Sequence, residues 1–150
     1  MSNYRKELIK WLHTISAEGN TLDVGGKSWT VVSSLKSFDG EYETLQKEDY
    51  DLNHFLSNPY NEKFDNVFCC EVFQYVYNPL HVLINLTSFL NLGGKLYLSF
   101  YRDFPQFSPK NSDYLRYTKQ GVYKLIKEAE LKIEDFQEPI EGFYLVKCSK

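Results

Sequence analysis

The sequence has few cysteines, and they form no pattern that a disulfide framework or a metal needs. Cys69 and Cys70 are adjacent and Cys148 stands alone. There is no C-x-x-C spacing for zinc, and any pairing would leave an odd thiol. Histidine is equally sparse: His13, His54 and His81 are scattered and supply no ligand spacing. The expectation is therefore no metal. No apolar run approaches the roughly 20 residues that span a bilayer. The opening residues, MSNYRKELIKWL, are charged and amphipathic, without a signal-peptide apolar core. These absences predict a cytoplasmic protein with reduced thiols and no membrane partner. Positive charge is not in excess either, since 17 Lys+Arg stand against 20 Asp+Glu for a formal net charge of −3. That balance gives no chain-wide attraction to nucleic acid and argues against such a partner. Internal repeats and low-complexity segments are lacking too.

What is abundant is aromatic: 12 Tyr and 11 Phe in 150 residues. Rings must fill much of the core and line part of any site. The length predicts one domain over residues 1–150, burying roughly 70% of the unfolded surface.

The apolar spacing of Leu8, Trp11, Leu12 and Ile15 predicts an amphipathic first helix. TLDV, Thr21 to Val24, reads as a short strand. KSWTVVSSLKSF reads either as a short helix or as an irregular crossover, and EYETL as β-prone. DYDLNHFLSNPYNEK is loop-rich. Asn66 to Cys70 is apolar on both faces, as a strand buried inside a parallel sheet is. Pro79 suits a first helical position, and PLHVLINLTSFLNL is expected to stay helical up to Gly93-Gly94. KLYLSFY is a strand. YTKQGVYKLIKEAEL is a helix with Thr118 as its N-cap. KIEDFQEPI and GFYLVKCSK read as a closing hairpin. Strands alternating with helices predict an α/β, three-layer, mainly parallel sheet with an antiparallel C-terminal strand. In such sheets ligands sit beyond the carboxyl ends of the strands. That puts Gly25-Gly26, Cys70-Glu71 and Tyr101-Arg102 on one rim.

The stretch TLDVGGKSW poses the functional question. A strand meeting two glycines is how a chain enters a ligand-gripping turn, but it is also a plain strand-to-helix turn. Asp23 could equally be a strand-end hydrogen-bond acceptor, and bulky Trp29 argues for a filled loop. Cys69 and Cys70 read as small buried hydrophobes, since a nucleophile needs a partnered base and a cationic surrounding. The long connection YRDFPQFSPKNSDYLRYT gathers Tyr101, Arg102, Tyr114 and Arg116. Tyrosine and arginine together can grip a planar or anionic substrate, or brace the loop onto the sheet.

Taken together, TLDVGG, FDNVFCCEVFQYVYNPLHVLINLTSFLNLGGKLYLSFY and DYLRYTKQGVYKLIKEAEL resemble the class I S-adenosylmethionine-dependent methyltransferases, closest to the type-11-like group. The resemblance runs from Thr21 to about Leu131. It implies a Rossmann-like methyltransferase fold, shortened in its first half, because Leu22 to Phe64 is too short for two full crossovers. It implies S-adenosylmethionine as cofactor and a small-molecule methyl acceptor. The cofactor-binding positions it implies are Asp23, Gly25, Gly26 and Lys27 on the first loop, Gln46 after the second strand, Asp51 and Leu52 near the adenine, and Cys70 and Glu71 after the fourth strand. The substrate-binding positions are Tyr75, Tyr101, Arg102, Tyr114 and Arg116. No catalytic residue stands out; Tyr75, Glu71 and His54 are the candidate bases.

The chain departs from the family pattern at several points. Lys27 and Trp29 replace glycines, and Gln46 stands where a carboxylate is usual. Gln74 and Tyr75 replace a glutamate and a histidine. These departures leave a second reading open: a degenerate methyltransferase-like domain that acts as a partner-binding or regulatory subunit. Aromatic surface left by missing helices would favour self-association or a partner chain.

Overall fold

In the computed structural model, which describes residues 1–26, 31–46, 51–54, 60–106 and 112–150, the first amphipathic segment forms helix α1, Asn3–Leu12. The Ser2 hydroxyl caps it by accepting from the Arg5 N–H, and Leu8, Trp11 and Leu12 form its buried face. Strands β1 (Ser16–Glu18) and β2 (Thr21–Val24) follow. After a 3₁₀ turn at Val31–Ser34 come β3 (Ser37–Asp39) and β4 (Tyr42–Leu45). Ser37 lies opposite Ser16 and Tyr42 opposite Thr21, both pairs parallel. The register is shared, so the four strands form one parallel ladder with a break at Gly19-Asn20 and Gly40-Glu41. The ambiguous KSWTVVSSLKSF segment thus holds a 3₁₀ turn and the start of a strand.

The second half carries β5 (Phe64–Cys69), a 3₁₀ turn (Phe73–Tyr75), α2 (Pro79–Phe89), β6 (Leu90–Tyr101), α3 (Lys119–Glu128), β7 (Lys132–Ile140) and β8 (Phe143–Ser149). Pro79 stands in the first turn of α2, and the Thr118 hydroxyl caps α3 by accepting from the Gly121 N–H at 3.0 Å. The main sheet runs β4-β2-β5-β6-β8-β7. Its first four strands are parallel, and β8 is antiparallel to both neighbours.

Side chains alternate across this sheet and feed two cores. Val67, Cys69, Leu96, Leu98 and Val146 face α2 and α3. Phe68, Tyr97 and Leu145 face α1 and the Val31 turn, where the rings of Phe68 and Tyr97 stack at 4.3 Å. This is the expected three-layer α/β architecture with its antiparallel C-terminal strand. The first half is short, as expected: among the described residues only β2 and β4 precede β5 in the main sheet.

One expectation fails. The helix before Gly93-Gly94 ends at Phe89, and β6 already begins at Leu90. Phe64 pairs with Leu90 and Asn66 with Lys95, so β6 bulges through the glycines. The cause is pairing with distant backbone. The Gly93 N–H donates to the Lys150 carbonyl and the Lys150 N–H to the Gly94 carbonyl. No helix among the described residues is long and apolar enough to cross a membrane.

Candidate functional site

From β2 the chain moves outward to β4, then returns to the other side of β2 to make β5. The strand order therefore reverses between β2 and β5, and in sheets of this kind ligands sit beyond the carboxyl ends of the strands at that point. Gly25 and Gly26 leave β2 at this point, and Cys70, Glu71 and Val72 leave β5.

Gly25 has φ +86°, in the left-handed region, and a Cβ there would stand 3.0 Å from Val72 Cγ2. The turn needs glycine for both its conformation and its clearance. Its N–H donates to the Leu45 carbonyl at 2.8 Å. A Cβ on Gly26 would collide with the Asp23 carboxylate. Asp23 is buried and accepts from the Tyr42 hydroxyl and from the Val31 N–H at 3.1 Å. Its carboxylate thus ties β4 and the Val31 turn to β2. Burial pushes its pKa up, against the pull of the Tyr42 and Val31 hydrogen bonds. Lys27 and Trp29 lie outside the described residues.

Gln46 follows β4 and donates its side-chain N–H to the Gly26 carbonyl at 2.6 Å. It closes the glycine turn from the side, leaving its amide oxygen as the group able to accept from a ligand hydroxyl. Asp51 opens the 3₁₀ turn Leu52–His54 and accepts from the Asn53 N–H at 3.0 Å. Leu52 is buried in the core shared with α2. That turn docks beside the site. Asn53 donates to the Tyr75 carbonyl at 3.3 Å and accepts from the Tyr77 N–H at 3.1 Å.

Glu71 has φ +59°, unusual for a side chain with a Cβ. Its N–H donates to the Ser99 hydroxyl at 2.7 Å. Its carboxylate forms an ion pair with Arg5 of α1 and accepts from the Tyr101 hydroxyl at 3.0 Å. Burial pushes the neighbouring thiols, Cys69 and Cys70, well above the ordinary thiol range. The Cys70 thiol points at the Tyr97 carbonyl.

The positions singled out for substrate divide. Tyr101 is buried against Phe143, its ring stacked at 5.0 Å, and burial raises its phenol pKa. Arg102 lies on the surface, paired with Asp103 and Glu141. Arg116 makes a two-pronged pair with Asp113 and donates to the carbonyls of Phe104, Pro105 and Leu115. The segment carrying Tyr114 is joined to the turn that carries Tyr75, because the N–H groups of Tyr114 and Leu115 donate to the Gln74 carbonyl at 2.7 and 3.3 Å. Gln74 is buried. Its side-chain N–H donates to the Glu71 carbonyl at 2.9 Å, and its amide oxygen has no hydrogen-bond partner among the described residues.

Sequence reading did not single out Arg5, Tyr42, Val72 or Ser99 for this rim. Each reaches it through a long-range pairing that leaves no local signal.

No family model matches the sequence, and no curated protein matches it. Solved structures do match. A putative methyltransferase from Bacillus halodurans C-125 superposes with a TM-score of 0.72 at 15% identity, covering 100% of this chain and 99% of the other. A chain of the complex between the Haloferax volcanii Trm112 methyltransferase activator and the putative methyltransferase gives 0.70 at 14% identity, covering 97% and 88%. The Burkholderia thailandensis 1,6-didemethyltoxoflavin-N1-methyltransferase, with bound 1,6-didemethyltoxoflavin and S-adenosylhomocysteine, gives 0.65 at 12% identity, covering 99% and 78%. The fold is that of the S-adenosylmethionine-dependent methyltransferases.

Proposed function

We propose that the rim formed by Gly25, Gly26, Gln46, Asp51, Leu52, Cys70 and Glu71 binds S-adenosylmethionine, and that the chain directs methyl transfer to a small-molecule acceptor. The observation that carries this reading is the glycine turn at the switch point. Gly25 is left-handed, and a side chain at either glycine would meet Val72 or Asp23, so the turn is kept to bare backbone. The residues around it fit the cofactor. Gln46 offers an amide oxygen to a ribose hydroxyl, with its N–H bonded to Gly26. Leu52 gives an apolar wall, and Asp51 stands beside it as an acceptor for a base amino group. When bound, S-adenosylmethionine supplies an electrophilic methyl group on sulfur. The chain's contribution is to hold the acceptor oxygen or nitrogen in line, since positioning alone lowers such barriers greatly. The acceptor's proton leaves to a base or to water.

The test is titration calorimetry with S-adenosylhomocysteine on the wild type and on Gly25→Trp. The reading expects saturable binding to the first and none to a folded second. Equal affinity in both variants would refute the loop assignment.

A second reading is favoured by one feature: Asp23 and Gln46 both spend hydrogen bonds on the fold around the turn, Asp23 on Tyr42 and Val31 and Gln46 on Gly26. A domain whose polar groups hold its own loop closed could serve as a partner-binding or regulatory subunit. The Haloferax neighbour, solved with an activator, keeps this reading in play. Recovery of a stable partner complex together with absent cofactor binding would favour it.

A further inference from the structure

We infer that the acceptor face beside this rim takes a flat, uncharged aromatic molecule, an inference that rests on the methyl-transfer reading for the acceptor's role. Three tyrosines are half-exposed on backbone that meets at Gln74: Tyr75 at 38%, Tyr77 at 45% and Tyr114 at 48%. They come from two separate stretches of chain. Tyr75 ends the 3₁₀ turn after β5, and Tyr77 follows it. Tyr114 belongs to the segment that leads into α3.

The platform is built, since each piece is fixed by backbone or core contacts. The Tyr114 and Leu115 N–H groups hold to Gln74. The Tyr117 hydroxyl donates to the Phe73 carbonyl at 2.8 Å, which pins the same segment to the same turn. The rings of Tyr77 and Tyr114 meet edge to face at 5.4 Å. His54 Nε2 lies 2.5 Å from the Tyr77 hydroxyl and fixes that ring from the other side. Ordering the Tyr77 and Tyr114 rings in advance lowers the entropic cost of stacking a ligand on them.

Charge decides between a neutral and an anionic occupant. Among the described residues, Arg116 is a cation beside the platform, and the phenol of Tyr75 lies within its electrostatic reach. All five of its N–H donors are engaged: two with Asp113 and three with the carbonyls of Phe104, Leu115 and Pro105. Arg5 is paired with Glu71, and Arg102 with Asp103 and Glu141. Each of these three arginines is matched by carboxylate, so none offers a bare charge to an anion. Aromatic faces and phenolic hydroxyls are what the patch presents, and they suit a flat ring bearing its own hydroxyl or N–H.

The experiment uses the full chain and three ligands of similar size: 2-naphthol, flat and neutral; 2-naphthoate, flat and anionic; and decahydro-2-naphthol, neutral and puckered. Affinities are read by ligand-observed NMR titration, with and without saturating S-adenosylhomocysteine. 2-Naphthol should bind about tenfold more tightly than either of the others. Tyr114→Ala should weaken it about tenfold while Tyr114→Phe retains it; the anchoring N–H of residue 114 is backbone and survives both changes. Equal or tighter binding of 2-naphthoate, equal binding of the puckered alcohol, no 2-naphthol binding in either condition, or an unchanged affinity in folded Tyr114→Ala would each overturn the inference. Failure of S-adenosylhomocysteine to bind would instead overturn the methyl-transfer reading, so the two failures are separable.

Discussion

Gln46 and Gly26 are joined beside the switch point of the sheet: the Gln46 amide N–H donates to the Gly26 carbonyl at 2.6 Å. The residue at the end of β4 therefore holds the glycine turn in place. A carboxylate at this position has no N–H and would set two acceptors against each other. Gln46→Glu should destabilise the fold by about 1–3 kcal/mol, measured by urea denaturation. Gln46→Ala removes the clash as well as the bond and should cost less. Equal stability of Gln46→Glu and the wild type would show that the bond does not hold the turn.

Gly25 and Gly93 form a matched pair for dissecting the turn. Their φ angles are +86° and +81°, but an added Cβ meets Val72 at Gly25 and nothing within 4 Å at Gly93. Gly93→Ala should cost only the left-handed penalty, roughly 1–2 kcal/mol. Gly25→Ala should cost more and should also weaken S-adenosylhomocysteine. Equal stability losses in the two variants would remove Val72 from the account.

Glu71 couples α1 to the rim. Tyr101→Phe deletes the hydroxyl that donates to Glu71 and should cost about 0.5–1.5 kcal/mol. Combined with Glu71→Gln in a double-mutant cycle, it should show a coupling of at least about 0.5 kcal/mol. Strict additivity would mean that the two side chains do not support one another.

Asp23 makes a pH prediction. Its folded pKa lies above the ordinary value of 3.8, chiefly because burial disfavours the charge. Over the window from that value up to the raised one, the folded state binds more protons than the unfolded state. This residue's contribution to stability therefore falls as pH rises through that window. Asp103, Glu128 and Glu134, whose pKa values are lowered, act in the opposite sense. The difference between wild type and Asp23→Asn isolates the effect: the wild type should lose stability relative to the variant as pH goes up from about 4. A difference that is flat or of opposite slope would contradict the assignment.

The thiols should be inert in the native protein. Cys69, Cys70 and Cys148 are buried, and burial pushes Cys148 up to about 12. Iodoacetamide at pH 8 should label none of them until urea is added. Rapid labelling of Cys70 in the folded state would open a catalytic role that the geometry gives no reason to expect.

Much of the fold was legible because its signals are local. Leu8, Trp11 and Leu12 mark a helix face, Thr118 marks a cap, and the two-faced apolar run of β5 marks a buried parallel strand. The end of α2 was not legible. SFLNLGG suits a helix stop, but Leu90 is claimed by Phe64 and the glycines by Lys150, contacts that no window of sequence contains. The site was legible as a rim and not as a network. Glycines at a strand end announce a turn. That Gln46 closes it, that Tyr42 donates to Asp23 and that Arg5 reaches Glu71 depends on register and helix docking. The left-handed Glu71 carries no sequence mark, because the conformation normally belongs to glycine or asparagine. The Arg116 question, brace or ligand contact, was open in the sequence; in the structure its donors all go to the loop.

The central claim is that the glycine rim binds S-adenosylmethionine in the chain on its own. Thermal unfolding with S-adenosylhomocysteine tests it most directly. Ligand at a hundred times its dissociation constant should stabilise the fold by about 2.7 kcal/mol, a melting rise of roughly 5–10 °C for a chain of this size. The account predicts a saturable rise of that order, lost in Gly25→Trp. A cooperatively folded wild type whose melting temperature does not move at any ligand concentration would contradict it.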